Sequence, residues 1–471
     1  MSGTRPIILN RDQQEALQAL KRFVEHPAAD TFVLKGYAGT GKTFLMQHFA
    51  GWLRDNNYDF SLLASTGRAA TVLRGKTGFD ASTVHGELYR FSRVDGDEED
   101  LPHDAPADHF GQMLLQFALR PPDEGKRIYI IDEASMLASE LSPEEGVVSF
   151  GSGQLLPDFF AAAGNNKIIF VGDPGQLPPV GQAFSPALDM DWLASEQRTA
   201  ISMTLEKIER NDAGNDILVL ASNVRNLVPR PDIKFPRLPA RHLNNVLLHD
   251  SDHELFEAYL DNYNRKGPAG ALAVARSNKM VADINRNMRK ELFGEADLPL
   301  KEGDILMVVQ NNHAVPLTNG DFVEVTNLGE MELHVHLRFQ RIHVKALLSG
   351  KEHEMLIALD VLYGNESNLT RDQSRMLMID FSRRMRQKKI RVNSEIYKQR
   401  MMKDKVLNCL KAKFGYAVTC HKAQGGEWDD VYLFLNNKMY GMPQAELFRW
   451  WYTAVTRAKK RLHLTNGWWL A

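Results

Sequence analysis

Cysteine is almost missing from the 471 residues: Cys409 and Cys420 are the only two. Neither stands beside paired metal ligands, so a disulfide framework and a zinc site are both excluded, and the two thiols are expected to be structural in a reducing compartment. No apolar run is long enough to cross a bilayer, and Met1 to Asn10 lacks the apolar stretch of a secretory signal. The expectation is therefore no membrane partner and a cytoplasmic location. Net charge is lacking too, at -2. The surface as a whole does not demand a polyanion, and any nucleic-acid binding must be local to a cleft or stripe. An internal period, which would indicate a repeat architecture, is also absent.

What is present is the mixture of an ordinary soluble protein, with hydrophobic residues at 44% and charged residues at 25%. The length predicts about three or four folding units. Charge is uneven: between Arg371 and Lys413 there are 14 Lys or Arg against four acidic residues. That segment reads either as a solvated helical surface or as a polyanion track.

Asp12 to Val24 has apolar residues at helical spacing, and Thr31 to Leu34 is a short β-rich run ending in a glycine-rich loop. Further apolar runs at Ser61 to Ala64, Arg127 to Ile131 and Lys167 to Val171 each end in a polar or glycine-containing cluster, the pattern of a parallel sheet with crossover helices. This predicts a first α/β domain over 1–86 and 127–200. Residues 87–126, acidic and proline-bearing, are expected as a small insertion. A second α/β signal follows over 201–300 and 414–471, with Ala271 to Ala275 as a strand and Met280 to Leu292 as a helix. It is interrupted at 301–413 by β-like runs with the turn Asn319-Gly320-Asp321, then by the basic helical stretch.

Gly36-Tyr37-Ala38-Gly39-Thr40-Gly41-Lys42-Thr43 fits the phosphate-loop pattern G-x-x-x-x-G-K-[ST] between an expected strand and helix. In such a loop glycines turn backbone N–H groups inward around phosphate oxygens, the helix adds its positive N-terminus, Lys42 neutralises the outer phosphates, and Thr43 offers a hydroxyl to Mg²⁺. Ile130-Ile131-Asp132-Glu133 then puts adjacent carboxylates at the end of an apolar strand, where ionised groups need a cation or substrate to engage. Asp132 is assigned to Mg²⁺ and Glu133 to the attacking water.

A phosphate loop alone does not separate a motor from a kinase or a GTPase. The accompaniment does: Val171-Gly172-Asp173-Pro174-Gly175-Gln176-Leu177-Pro178-Pro179 follows another apolar strand, with Gln176 placed to sense the γ-phosphate. Leu9-Asn10-Arg11-Asp12-Gln13, Ala64-Ser65-Thr66-Gly67-Arg68-Ala69-Ala70, Ser82-Thr83-Val84-His85-Gly86, Leu205 to Arg210, and Ala273-Val274-Ala275-Arg276-Ser277-Asn278 occur in order along the chain. Thr419-Cys420-His421-Lys422-Ala423-Gln424-Gly425-Gly426-Glu427 and Tyr452-Thr453-Ala454-Val455-Thr456-Arg457-Ala458 complete the series. Over nearly the whole chain this series resembles the superfamily 1B DNA helicases of the RecD and Dda type.

The resemblance implies two RecA-like motor domains, a pin inserted in the first and an SH3-like module in the second. It implies an ATP-dependent helicase moving 5′ to 3′ on single-stranded DNA and opening tailed duplexes, in replication, recombination or repair, as a monomer with possible protein partners. Gln13 is then the adenine contact, Arg210 and Arg457 are the arginine fingers, and Gly425 and Glu427 link the strand to the nucleotide. Thr66, Arg68, Thr83, His85, Asn278, Thr419, His421 and Lys422 contact DNA. Tyr89, Phe91 and Phe110 each either wedge a duplex or pack a small core. The rival reading is a strand-stimulated ATPase that loads or remodels without unwinding.

Overall fold

The computed structural model describes residues 9–95, 114–141, 148–208, 215–228, 233–294, 299–312, 314–366 and 368–471. Among them four sheets form. The chain enters through the helix Arg11–Glu25, started by a reciprocal capping box: the Asn10 side chain accepts from the Gln13 N–H, and the Gln13 side chain accepts from the Asn10 N–H. Strands β1 (Thr31–Gly36), β2 (Asp59–Ala64) and β3 (Ala81–Thr83) follow, with the helices Lys42–Asp55 and Gly67–Thr77 as crossovers.

A small sheet leaves the main one here. β4 (Tyr89–Asp95) pairs antiparallel with β5 (Leu114–Leu119) before the chain returns as β6 (Arg127–Asp132). A third strand, β7 (Val148–Phe150), joins β5 from beyond the expected insertion, too short to show as an apolar run. β8 (Lys167–Gly172) and β9 (Ala200–Leu205) complete the main sheet, all parallel in the order β3-β2-β6-β8-β1-β9. β9 corrects the expected boundary at residue 200: it lies at the edge beside β1, half exposed, so it lacks the continuous apolar run that marks β6 and β8.

The second parallel sheet uses β10 (Val246–His249) and β11 (Ala271–Ala275), then later strands after a long interruption. The interruption is a five-stranded antiparallel sheet of β12 (Ile305–Val308), β13 (Phe322–His334), β14 (Leu337–Ala346), β15 (Glu352–Ala358) and β16 (Ala412–Phe414). The basic stretch supplies the helices Arg371–Gln387 and Glu395–Met402. Their apolar faces form a core around Phe381 and Tyr397, against which Phe91 and Leu115 of the small sheet pack. Tyr89 is buried with its hydroxyl on Asp158, and Phe91 lies edge-on to Phe117 at 5.6 Å, so both pack rather than project. Phe110 lies outside the described residues, as does most of the acidic run from Asp95 to Asp100.

β17 (Ala417–Thr419), β18 (Trp428–Phe434) and β19 (Ala458–Thr465) return to the second parallel sheet, whose order is β10-β19-β18-β11-β17. Both parallel sheets are covered on their faces, with Ile130, Ile131, Val274 and Leu433 at most 1% exposed. Cys409 and Cys420 are buried and free. No helix among the described residues is long and apolar enough to cross a membrane.

Candidate nucleotide cleft and strand edge

In open parallel sheets, ligands sit beyond the carboxyl ends of the strands. β1 ends in the phosphate loop, β6 in Asp132 and Glu133, and β8, which stands between them, in Asp173 and Gln176. Gly39 and Gly41 have φ of 81° and 76°, conformations that a side chain would strain, and they give the loop its curl. Lys42 Nζ donates to the Gly36 and Tyr37 carbonyls at 2.6 and 3.1 Å. Thr43 stands in the first turn of the helix that follows.

Asp132 Oδ1 accepts from the Glu133 N–H at 2.9 Å, and burial raises the Asp132 carboxyl above its usual range against the pull of Lys42. Glu133 is held at φ 52°, a left-handed backbone rare outside glycine. Its Oε2 is buried without a hydrogen-bond partner. Burial, with Asp132 adding like charge, pushes its carboxyl up to about 7, opposed by the charges of Arg457 and Lys42. Gln176 also has a buried, unpartnered Oε1. Four expected residues, Lys42, Asp132, Glu133 and Arg457, thus share one electrostatic neighbourhood.

Arg457 comes from the second sheet, at the entry to β19. It is 3% exposed and fixed by its own domain, donating to the Thr453 and Gly426 carbonyls and to the Thr456 hydroxyl. The cleft is stitched by further bonds across it. The Leu177 N–H donates to Thr453 Oγ1 at 2.9 Å and Gln424 Nε2 to the Leu177 carbonyl at 3.2 Å. Arg225 stacks on the Tyr37 ring at 4.0 Å. Sequence reasoning missed Tyr452, whose hydroxyl meets both the Ala38 N–H and Asp173. The available signal was a phenol within a helix of buried residues, which requires a polar partner.

Several expected contacts are placed elsewhere. Gln13 is 2% exposed; besides capping Asn10 it donates to the Thr40 carbonyl at 3.0 Å, so its amide braces the phosphate loop from behind. A side chain on Gly425 would meet Ala69 and Thr66, so this glycine permits close approach of the two domains rather than lining the phosphate loop. Glu427 is exposed and pairs with Lys76 at 3.9 Å. Arg68 is 6% exposed, with its guanidinium 4.5 Å from the Trp428 ring and 5.0 Å from Phe322. It joins the first domain to the second and to the antiparallel module instead of facing a strand. Arg210 lies outside the described residues.

The remaining strand residues assemble by register. Ala64 pairs with Thr83, so Thr66 and Thr83 follow adjacent strand ends; both cap helices, accepting from the Ala69 and Gly86 N–H groups. His85 packs near Tyr89 and Phe150, and burial lowers its pKa. On the second sheet Ala275 pairs with Thr419, which brings Asn278, Thr419, His421 and Lys422 to neighbouring carboxyl ends. Asn278 is exposed; burial lowers the His421 pKa.

Comparison with known proteins agrees at both ends of the chain. Residues 8–226 match an AAA domain and residues 414–465 a UvrD-like helicase C-terminal domain. The chain is 25% identical over 318 residues to the ATP-dependent DNA helicase Pif1 of Psychrobacter sp. (strain PRwf-1), covering 62% of this chain and 43% of that protein. It is 24% identical over 443 residues to the ATP-dependent RecD2 DNA helicase of Deinococcus radiodurans, covering 91% and 46%. It therefore spans less than half the length of these two relatives. A solved structure of two coordinating Pif1 helicases at forked double-stranded DNA shares the fold, with TM-score 0.51, 15% identity, and coverage of 97% of this chain and 92% of that one.

Proposed function

We propose that this chain, which belongs to superfamily 1B of the helicases, is an ATP-driven motor that moves 5′ to 3′ along single-stranded DNA and opens tailed duplexes. One observation carries the reading: a cleft in which the phosphate loop and Glu133 of one parallel sheet share their electrostatic field with Arg457 of another. Phosphoryl transfer needs preorganised positive charge around the γ-phosphate, and a cleft between two domains supplies it only when closed. Nucleotide then favours the closed state by its differential contacts, and hydrolysis releases it.

In this reading Gly36, Ala38, Gly39, Thr40 and Gly41 form the loop that wraps the phosphates, and Lys42 neutralises the outer phosphates. Glu133 takes the proton of the attacking water, Gln176 senses the γ-phosphate, and Arg457 stabilises the charge that develops. Arg210 is proposed as the first finger, from the family resemblance, and Arg457 as the second. The donor set fits a hard cation, since Thr43 and Asp132 offer oxygen atoms. Mg²⁺ at phosphates uses one or two protein oxygens and keeps its other ligands from phosphate and water. Bound there, Mg²⁺ neutralises phosphate charge.

Thr66, Thr83 and His85 on one domain, and Asn278, Thr419, His421 and Lys422 on the other, are proposed to grip phosphates and sugars, because a motor must ignore sequence. A monomer with both domains suffices, and partners in replication, recombination or repair belong to the same proposal. The test is strand displacement from 5′-tailed and 3′-tailed duplexes with ATP and Mg²⁺. Opening of the 5′-tailed substrate alone is expected. Preference for the 3′ tail removes the direction, and strand-stimulated hydrolysis without displacement favours a loader or remodelling role.

A further inference from the structure

The carboxyl edge of the second parallel sheet can be followed strand by strand in the order β17, β11, β18, β19. β17 leads to Thr419, His421 and Lys422, and β11 to Arg276 and Asn278. The next strand, β18, runs into the turn Asn437–Gly441, and β19 runs into Gly467, Trp468 and Trp469. Arg276 Nη1 donates to the Lys438 carbonyl at 3.1 Å, which ties the turn after β18 to the strand-binding row. Along this edge the chemistry changes from polar to aromatic. The Tyr440 and Trp468 rings lie 4.8 Å apart, and with Lys234, Phe235, Pro236 and Met442 they border a cavity of about 310 Å³.

Phe235 is 73% exposed and Trp468 is 50% exposed. Their exposure is built in, because the segment carrying Phe235 is fastened on both sides. The Gln444 amide holds both polar atoms of the Ile233 backbone, at 3.1 and 2.7 Å. Leu238 exchanges backbone bonds with Trp469 and Ala471, each at 2.8 Å. Rigidly presented apolar clusters on a soluble surface mark binding sites. Lys234, Arg237 and Lys438 are exposed around the rings, and Arg237 is near enough for its charge to act on the Tyr440 hydroxyl. Cations beside aromatic faces are the means by which single strands are held without regard to sequence.

We infer that Phe235, Tyr440 and Trp468 form a stacking platform for the bases of a single nucleic-acid strand, continuing the row of Lys422, Thr419 and Asn278. Strands lie about 5 Å apart, so β19 is about 10 Å along the edge from β11. That distance is roughly three nucleotides at the 3.4 Å rise of a stacked strand. The inference rests on reading this edge as strand-binding, and the experiment separates the two.

Fluorescence anisotropy with labelled oligothymidylates of about 6 and about 16 nucleotides, lengths that bracket common single-strand site sizes, supplies the measurement. The double variant Phe235→Ala/Trp468→Ala is expected to weaken binding of the longer oligomer about tenfold or more and the shorter one far less. Trp468→Phe, which keeps a ring face, is expected to retain most of the affinity. Unchanged affinity for the longer oligomer in the double variant overturns the platform. An equal loss at both lengths that Trp468→Phe fails to avoid overturns it too, because that is damage to the fold. Lys422→Ala is the separating arm: if it weakens both lengths while the double variant weakens neither, the platform falls and the strand reading stands. If neither has an effect, both fall.

Discussion

Tyr452 and Asp173 meet across the cleft: the phenol of the second domain donates to Asp173 Oδ2 at 2.7 Å. The Tyr452 hydroxyl oxygen in turn accepts from the Ala38 N–H of the phosphate loop at 2.9 Å. One hydroxyl therefore connects the loop, the residue after β8 and the helix that leads to Arg457. Burial and the neighbouring carboxylate hold its pKa far above the ordinary phenol value, so it remains a donor throughout the working pH range. Tyr452→Phe is expected to lower strand-stimulated kcat about tenfold, equivalent to about 1.4 kcal/mol. The cost in stability should be near 1 kcal/mol, that of one hydrogen bond. Steady-state hydrolysis with and without oligothymidylate, together with a denaturant titration, checks both.

Lys42→Ala and Glu133→Gln should both stop turnover, for different reasons. The first removes charge that the phosphates require. The second keeps the shape of Glu133 and removes only the proton acceptor, so tight ATP binding should persist. Equilibrium binding of a fluorescent ATP analogue separates the two variants, and normal hydrolysis by Glu133→Gln refutes the base assignment.

Arg68 packs over the Trp428 and Phe322 rings with little exposure. Burial lowers its pKa to about 10, still high enough to keep the charge. Truncation to alanine is expected to cost about 2 kcal/mol, the worth of a desolvated cation–π contact. Lysine should not restore it, because an ammonium lacks the planar face. Thermal unfolding of Arg68→Ala and Arg68→Lys tests this, and full stability of the lysine variant contradicts it.

Acid should weaken the second domain through a buried histidine. His463 is buried, stacked on Tyr432 at 4.1 Å and bonded to His249 at 3.1 Å, and burial lowers its pKa to about 4. A group with a depressed folded pKa leaves the unfolded chain holding more protons between the two values. Stability is therefore full above the unfolded value of about 6.5 and is lost as pH falls toward 4. The loss should be on the order of 3 kcal/mol. Denaturant midpoints across this range should fall in the parent and stay flatter in His463→Phe.

The parts of the fold legible in the sequence were those whose physics is local. Ile128 to Ile131 and Ile168 to Val171 are continuous apolar runs because both faces of their strands are covered. The loop Gly36 to Thr43 is legible because its glycines and lysine serve the same few atoms. Other features depend on distant partners. β9 reads poorly because one sheet edge leaves it half exposed. Arg68 looks like a strand contact until Trp428 and Phe322, hundreds of residues later, close around it. That the Gln13 amide also holds the Thr40 carbonyl is equally invisible until the phosphate loop is folded beside it. Tyr452 lies within the last motif of the series, yet its role depends on Asp173 and Ala38, which face it only in the folded chain.

Between Thr419, at the end of β17, and Trp428, at the start of β18, the chain has room only for the four-residue helix Cys420–Ala423 and a short loop. A side chain on Gly425 in that loop would meet Ala69 and Thr66. So compact a connector should carry displacement rather than absorb it: Gly425 at the domain boundary and Lys422 at the strand edge are three residues apart, and a movement of one is expected at the other.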